Sequence, residues 1–244
     1  DGVLAEAGYA AGHFFGFFHG EEAEGKSDIY VASLDERGQV SWMETIGSSN
    51  LEGAFVDIAV DDDSNVYVSS ATQGAVGSNM NIGSLDIFLA KFDKMGDRQW
   101  IVQEGSSEVD TVQDVAIGDD GTVHVVGTAN ESVAGESFAG SSDILWLRYD
   151  TEGKQMGVNM FGSAKEDGVF SIVPDAGGQV HLGVSVAESL TRGSVVGDTD
   201  AGLLILKPTG EIVSESLYGS AADDIVSAIA RHEGRIYFGG YTKG

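Results

Sequence analysis

Short apolar runs separated by turn residues recur along the whole chain. One pair of runs, Val112–Ile117 and Val123–Gly127, flanks Gly118-Asp119-Asp120-Gly121, a sequence typical of a tight hairpin turn. Two further runs follow at Asp143–Tyr149 and Gln155–Phe161, and they are again separated by a short polar turn. The runs are rich in Val, Ile, Leu and aromatic residues, and none keeps a helical period. The pattern predicts four short antiparallel β-strands per unit.

The four-strand pattern repeats with a fixed period. Four aspartates that each begin an apolar run lie 58, 57 and 57 residues apart, at Asp28, Asp86, Asp143 and Asp200. A Gly-Ser pair keeps the same spacings, with its glycine at Gly47, Gly105, Gly162 and Gly219. A third anchor is an apolar run at Val66–Val68, Val123–Val125, Val180–Leu182 and Ile236–Phe238, with Val3–Ala5 as a related opening segment. Three anchors in one register predict a repeat protein with about 57 residues per unit.

The anchors also define the domain organisation. They divide the chain into repeats of about 1–61, 62–118, 119–175 and 176–232, followed by a partial copy at 233–244. Repeats of this length with four strands predict an all-β fold, a β-propeller of four-stranded antiparallel blades. The second strand type occurs five times and the other types four times, so four to five blades lie in this single domain or segment. We expect either part of a larger propeller or a ring that other residues or chains complete, and the rival is a five-bladed ring closed by the N-terminus.

Composition narrows the classes of partner. The 244 residues include 13 Lys and Arg against 39 Asp and Glu, which gives a net charge of −26. Such a surface repels nucleic acid and anionic membranes, and it favours divalent cations and basic partners. Adaptation to salty surroundings explains the charge equally well. The chain has no cysteine, which excludes disulfides and thiol catalysis, and no apolar run reaches the length of about 20 residues that membrane insertion needs.

Two sets of acids keep the repeat register. Glu52, Asp110, Asp167 and Asp224 each lie five residues after the anchor glycine and precede the strand that we place innermost in each blade. A ring of these carboxylates near a central channel would bind Ca²⁺, which takes 6–8 oxygen ligands. The alternative, which we favour, is that each acid caps backbone N–H groups between blades. The anchor aspartates that begin strands, starting with Asp28, receive the same structural interpretation.

The least repetitive segment lies in the first copy, where the alignment places about five extra residues between Gly12 and Asp28. This segment contains four phenylalanines, Phe14, Phe15, Phe17 and Phe18. Some of these side chains pack under the blade, in our interpretation, and the excess forms an exposed apolar patch. A patch of that kind marks a partner-contact loop.

The repeats resemble a known family. The residues Asp120-Gly121-Thr122-Val123-His124-Val125-Val126-Gly127-Thr128, the ending Gly240-Tyr241-Thr242, and tryptophans at Trp42 and Trp100 are similar to the bacterial seven-bladed β-propeller repeat family. The third and fourth units depart from the pattern, since Gly157 and Ser214 stand near the tryptophan position. The resemblance implies an exported or cell-surface protein, usually part of a longer chain and used for binding or scaffolding. Asp1 in place of Met fits a mature or cropped product.

The function classes follow from these features. No nucleophile–base motif and no phosphate-binding loop is present in the sequence. We therefore predict a non-enzymatic binding or structural module for adhesion, surface assembly or protein interaction, located outside the cell, on its surface or in the periplasm. Expected partners are another protein or a second copy, with a glycan as an alternative. We predict no required cofactor, with calcium as the one candidate. The rival hypotheses are a lyase or hydrolase at the channel and a calcium-dependent glycan-binding propeller.

Overall fold

The computed structural model describes residues 8–15, 17–191 and 193–243, and this part of the chain contains β-strands and no helix. Three sheets have four antiparallel strands each. Sheet 2 comprises β6 (Glu52–Val60), β7 (Val66–Thr72), β8 (Asp86–Phe92) and β9 (Arg98–Glu104). Sheet 3 comprises β10 (Asp110–Ile117), β11 (Val123–Ala129), β12 (Asp143–Tyr149) and β13 (Gln155–Phe161). Sheet 4 comprises β14 (Asp167–Pro174), β15 (Val180–Val186), β16 (Asp200–Leu206) and β17 (Ile212–Tyr218).

Two smaller sheets lie at the ends of the series. Sheet 1 comprises β1 (Gly8–Phe14), β4 (Asp28–Leu34) and β5 (Val40–Ile46). Sheet 5 comprises β18 (Asp224–His232) and β19 (Arg235–Thr242). A short hairpin, β2 (Phe17–Phe18) and β3 (Glu21–Glu22), connects β1 to β4. The predicted all-β fold with four-stranded antiparallel sheets is confirmed. No candidate membrane-spanning helix occurs within the described residues.

Each four-stranded sheet runs in chain order from its first to its fourth strand, and neighbouring strands are antiparallel. The predicted strands Asp143–Tyr149 and Gln155–Phe161 have those bounds in the structure. The strands predicted at Val112 and Val123 are longer, since β10 begins at Asp110 and β11 ends at Ala129. The sheets do not coincide with the predicted repeats. The first strand of sheets 2, 3 and 4 lies at the end of one repeat, and the other three strands lie in the next repeat.

The start of the first repeat differs from the prediction. Gly8 pairs with Leu34 as Val66 pairs with Phe92, so Gly8-Tyr9-Ala10 holds the position that we had given to Val3–Ala5. Val3–Ala5 lies outside the described residues. The span from Gly8 to Asp28 equals that from Val66 to Asp86, 20 residues in each case, so the predicted insertion was wrong. Small residues in β1 hide the apolar pattern that marks this strand elsewhere.

The sheets pack face to face in chain order, with the first strands of successive sheets next to one another. Between sheets 2 and 3 the core contains Tyr67, Leu89, Val115, Val125 and Leu147. Sheets 1 and 2 share a second cluster, and sheets 3 and 4 a third. Each central sheet therefore buries both faces, which is why every residue of β7, β8, β12 and β15 is buried.

The series of sheets is open. No hydrogen-bonded ladder joins sheet 5 to sheet 1 in the described part of the chain. Among the described residues the second strand type occurs five times, as β1, β7, β11, β15 and β19, and each other type four times, as the sequence predicted. In this part of the chain sheet 1 has the second, third and fourth strand types, and sheet 5 has the first and second.

Candidate functional site

The repeated acids lie at the junctions, which we define as the segments that lead through Gly-Ser from one sheet into the first strand of the next. At three junctions the serine N–H donates to the acid four residues later, over 2.6 Å in each case. The acids are Asp110, Asp167 and Asp224. At the first junction Glu52 accepts hydrogen bonds from the hydroxyls of Ser48 and Thr72.

The junction acids are buried and bond to their own loops, which is the geometry of a cap. Among the described residues no group of three or more His, Cys, Asp or Glu side chains is placed to hold a metal ion. The structure therefore does not bring the junction acids together in a shared ring.

The anchor aspartate and the anchor glycine of each repeat form one contact. Asp86 is fully buried and accepts hydrogen bonds from Ile82 N, Gly83 N and Gln103 Nε2. A Cβ built on Gly105 would lie 2.9 Å from Asp86 Oδ1 and 2.7 Å from Oδ2 of the junction acid. The same overlap with the anchor aspartate occurs at Gly47, Gly162 and Gly219. Glycine is needed there because the carboxylate occupies the space of a side chain.

Burial of these carboxylates changes their pKa values. Desolvation is the largest cause in each case, and it raises the pKa of Asp110 to about 6 and also raises the pKa of Glu52, Asp143 and Asp167. The charge of the anchor aspartate beside each junction acid adds to the rise. At the last junction the hydrogen bond from Ser220 N lowers the pKa of Asp224 instead.

Each first strand contains a β-bulge soon after its junction acid. The pairing shifts between Val112 and Asp114, between Val169 and Ser171, and between Val226 and Ala228. A wider irregularity lies between Glu52 and Val56. The bulge residues differ from repeat to repeat, and they are Phe55, Gln113, Phe170 and Ser227. Bulges redirect single side chains and are frequent beside binding sites.

Two of the bulges, those at Gln113 and Phe170, open onto a cleft of about 580 Å³ at the junction end of sheets 3, 4 and 5. Gln113, Phe170 and Ile225 line it from three successive first strands, and Glu166 and Asp223 add carboxylates. Its volume is that of a small-molecule or side-chain pocket. We did not identify this cleft from the sequence. The break in alternation at Val112-Gln113-Asp114 was the available signal for a bulge.

Carboxylates also connect the first strands of neighbouring sheets. Val115 N donates to Asp57 and Ile172 N donates to Asp114, each over 2.8 Å. Burial raises the pKa of Asp114 to about 7, and a side-chain hydrogen bond and the charge of Asp57 add to the rise.

A second contact between sheets lies at the opposite end of the strands. There a side chain of one sheet donates a hydrogen bond to the next sheet, to a carbonyl in the turn that connects its third and fourth strands. Trp42 Nε1 donates to Lys94 O and Trp100 Nε1 to Thr151 O, each over 3.0 Å. Sheet 3 has Gly157 at the tryptophan position, and its Arg148 guanidinium donates to Pro208 O instead. A Cβ on the glycine would overlap with that guanidinium. Arginine with glycine thus replaces tryptophan at this contact.

The predicted partner-contact loop is packed in part. Phe14 is buried, and the ring of Phe18 stacks on Tyr30 with centroids 4.5 Å apart. Phe15 is 63% exposed, and the side chain of Phe17 lies outside the described part. These rings cover the face of sheet 1 that points away from sheet 2.

The fold and its junctions define a class, namely an all-β repeat protein of stacked four-stranded antiparallel sheets. No family model matches the chain. It is 24% identical over 257 aligned positions to the regulatory protein FlaEY of Caulobacter vibrioides (strain ATCC 19089 / CIP 103742 / CB 15), a match that covers 92% of this chain and 27% of that protein. It is 26% identical over 119 positions to the uncharacterized WD repeat-containing protein L264 of Acanthamoeba polyphaga mimivirus, covering 44% and 8%. The chain thus spans about a quarter of the first relative's length.

Proposed function

We propose that this chain is a β-propeller, or part of one, that binds a protein partner through the junction-end cleft and catalyses no reaction. The observation that carries the proposal is the division of labour within the repeat. The constant acids hold backbone N–H groups, whereas the bulge residues that line the cleft vary. A repeated frame that presents unlike side chains is the general design of repeat-protein binding surfaces.

The stacking of the sheets supports the propeller part of the proposal. Successive sheets bring their first strands together, and radial repetition of such sheets is the propeller arrangement. The match to a WD repeat-containing protein points in the same direction. We propose in addition that the ring is closed and that the chain is a member of the bacterial seven-bladed repeat family. The proposed location is outside the cell, on its surface or in the periplasm.

The chemistry of the cleft supports a protein as its ligand. Phe170 and Ile225 offer apolar surface, and Gln113 offers an amide. Glu166 lines the cleft together with Lys165, and Asp223 is paired with Lys243 over 2.7 Å. A peptide segment with an apolar side chain beside polar groups complements this lining. A net charge of −26 favours basic partners at long range. The description of one relative as a regulatory protein is consistent with a binding role.

Affinity capture with bulge variants tests the proposal. Wild-type protein is immobilised and exposed to native extract, and retained proteins are quantified by mass spectrometry. Phe170→Ala removes apolar surface from the cleft, so we expect a loss of about tenfold or more in the captured partner. Phe55→Ala is the matched control, because Phe55 lies at the equivalent bulge and does not line the cleft.

Equal capture by wild type and Phe170→Ala would refute binding in the cleft. The two rival functions have their own readouts. Calorimetry with Ca²⁺ and a glycan panel would reveal a calcium-dependent glycan site, and turnover of a polysaccharide panel would reveal a lyase or hydrolase.

A further inference from the structure

A second cleft lies between sheets 3 and 4, at the end of the strands opposite the junctions, and we call it the turn-end cleft. Its volume is about 400 Å³, which is within the range of small-molecule sites. Its lining includes Asp120, His124 and Arg148 of sheet 3 and Pro174, Asp175 and Pro208 of sheet 4. The equivalent space between sheets 2 and 3 measures about 260 Å³ and is lined mainly by turn residues.

Three differences between the repeats open the turn-end cleft. Sheet 2 fills the equivalent space with three large side chains, Asp61, Tyr67 and Trp100. There the tyrosine hydroxyl donates to the aspartate over 3.2 Å, and the tyrosine and tryptophan ring centroids are 5.9 Å apart. Sheet 3 has smaller residues at the same three positions, namely Gly118, His124 and Gly157. The cleft is therefore particular to this pair of sheets.

His124 directs an unpaired N–H group into this space. The residue is 5% exposed, and Trp146 Nε1 donates to its Nδ1 over 3.2 Å. Burial lowers the pKa of His124 to about 4, the charge of Arg148 adds to the fall, and Asp120 opposes it. The neutral ring therefore has its proton on Nε2, which makes no hydrogen bond to the residues that the structure describes. A Cβ built on Gly118 would lie 3.4 Å from this nitrogen.

Arg148 is a buried cation without a carboxylate partner. It is 9% exposed, and its guanidinium donates to two neutral acceptors, Pro208 O and Asn159 Oδ1. None of the ion pairs within the described residues includes Arg148. Burial lowers its pKa, although the charge of Glu136 opposes the fall. Because the guanidinium has five N–H donors, others remain for an anionic group of a ligand, which would compensate the buried charge.

Two carboxylates accompany these donors in the lining of the cleft. Asp120 is exposed, and the hydrogen bond from Thr122 N lowers its pKa, so it is charged at neutral pH. Asp175 is held in place by two backbone N–H groups of its own turn. These acids and the net charge of −26 repel a ligand that has only negative charge. A ligand with both a carboxylate and an ammonium group complements the lining.

We propose that the turn-end cleft binds a compact zwitterion of amino-acid size, with its carboxylate on His124 and Arg148 and its ammonium group at the two acids. An apolar side chain of the ligand packs on Pro174 and Pro208. The cleft lies at the opposite end of the strands from the junction-end cleft, so this inference is independent of the proposed binding of a protein partner.

Ligand analogues test this proposal on the wild-type chain at neutral pH. The common L-amino acids are screened by ligand-detected NMR, and those that bind are titrated by calorimetry. We expect saturable binding of an amino acid with an apolar side chain, at one site per chain. Its amide lacks the carboxylate and its N-acetyl derivative lacks the ammonium group, so each should bind about tenfold or more weakly.

A dipeptide that ends in the same amino acid distinguishes two sources of this chemistry. Tighter binding of the amino acid would identify a free amino acid as the ligand, whereas tighter binding of the dipeptide would identify a peptide C-terminus. Both results support a zwitterion site.

Two variants locate the site. His124→Tyr introduces the residue that sheet 2 has at this position and fills the cleft, and Arg148→Gln removes the charge but keeps a donor for Pro208 O. Each should weaken binding about tenfold or more. His181→Tyr and Lys91→Gln make the same changes at the equivalent positions of sheets 4 and 2, outside the turn-end cleft, and should leave the affinity unchanged.

The absence of saturable binding by every amino acid and dipeptide would overturn the proposal. Equal affinity for the amino acid and its amide would do so as well, as would wild-type affinity in both cleft variants. The urea midpoint of each variant separates lost binding from lost folding, and the analogues test the same site in the unaltered chain.

Discussion

At the scale of single residues, the repeat is maintained by carboxylates that take the place of side chains. The anchor aspartate fills the space above the anchor glycine, and the junction acid holds the serine N–H. At least one oxygen of each acid accepts a hydrogen bond, and in most cases the donor is a backbone N–H. Several carboxylates keep a second, buried oxygen without a hydrogen-bond partner among the described residues, namely those of Asp28, Glu52, Asp143, Asp167 and Asp200. The acids thus support the backbone of their own loops, which is the interpretation that we favoured from the sequence.

Substitution of an anchor glycine tests this contact. Gly162→Ala places a methyl group inside the Asp143 carboxylate, so we expect a loss of about 1–3 kcal/mol in the free energy of unfolding. Gly239→Ala is the control, because nothing lies within 4 Å of its Cβ position. Urea denaturation followed by tryptophan fluorescence measures both. Equal midpoints for the two variants would contradict the steric account.

The buried carboxyls predict that the stability of the fold decreases as the pH rises. The pKa of Asp110 is raised to about 6 and that of Asp114 to about 7, so the folded state binds more protons than the unfolded state between about pH 4 and 7. Stability contributed by these groups is present at the acidic end of that window and falls as the pH rises through the folded pKa. We expect the urea midpoint to increase from pH 8 to pH 5.

Neutralising one carboxyl should flatten this profile. Asp114→Asn removes the group whose pKa is raised most by burial and by Asp57, so its urea midpoint should change less between pH 8 and pH 5. Asp119→Asn changes an exposed acid of the neighbouring turn and should keep the wild-type slope. If Asp114→Asn kept that slope as well, the raised pKa of Asp114 would not be the source of the pH dependence.

At the scale of the elements, neighbouring sheets are joined by two different kinds of side-chain hydrogen bond. Trp42 and Trp100 reach the next sheet through an indole N–H, whereas Arg148 does so through its guanidinium. The arginine also lies over the ring of Trp146, 4.2 Å from its centroid, and this stacking fixes its direction. Gly157 stands at the position that Trp42 and Trp100 hold in other sheets because the arginine needs that space.

A double-mutant cycle tests whether the tryptophan contact can replace the arginine contact. Gly157→Trp alone should be strongly destabilising, by about 3 kcal/mol, since its side chain collides with Arg148. Arg148→Ser combined with Gly157→Trp recreates the Ser33 and Trp42 pair of sheet 1, and we expect it to recover most of that loss. Thermal unfolding of the two singles and the double measures the coupling. Additive losses of stability in the double variant would mean that the tryptophan and arginine contacts are not equivalent.

At the scale of the whole molecule, negative charge acts against compactness. The ion pairs found in the described residues are few and largely exposed, and they include Lys165 with Glu188 and Lys207 with Glu211. Most acids therefore repel one another without compensation. The stacked sheets tolerate this because their apolar faces are buried on both sides.

Salt should stabilise such a molecule. We expect the melting temperature to rise between about 0.01 and 0.5 M NaCl as screening shortens the range of repulsion. CaCl2 at matched ionic strength gives the same rise if cations act only by screening. A larger and saturable rise at low calcium concentration would instead reveal a specific site. No change with NaCl would show that charge repulsion does not limit stability.

The strand positions were predictable because they depend on local patterns. Turn residues at Gly118–Gly121 and alternation around Val123 mark strands wherever the chain folds, and the period of the anchors transfers that assignment from unit to unit. Strand β1 was missed because Gly8 and Ala10 provide little apolar signal. The cleft was missed because a bulge acts through pairing with the neighbouring strand, which the sequence of one strand does not reveal.

The sequence by itself determined the repeat, the four strands of each unit, and the acids and glycines that join the units, since each depends on residues close together along the chain. Only the tertiary structure decided which side chains meet between sheets. Arg148 replaces a tryptophan, and Gln113 and Phe170 meet in one cleft. These outcomes depend on how successive sheets are stacked, and contacts across about 60 residues of chain leave no periodic trace in a single repeat.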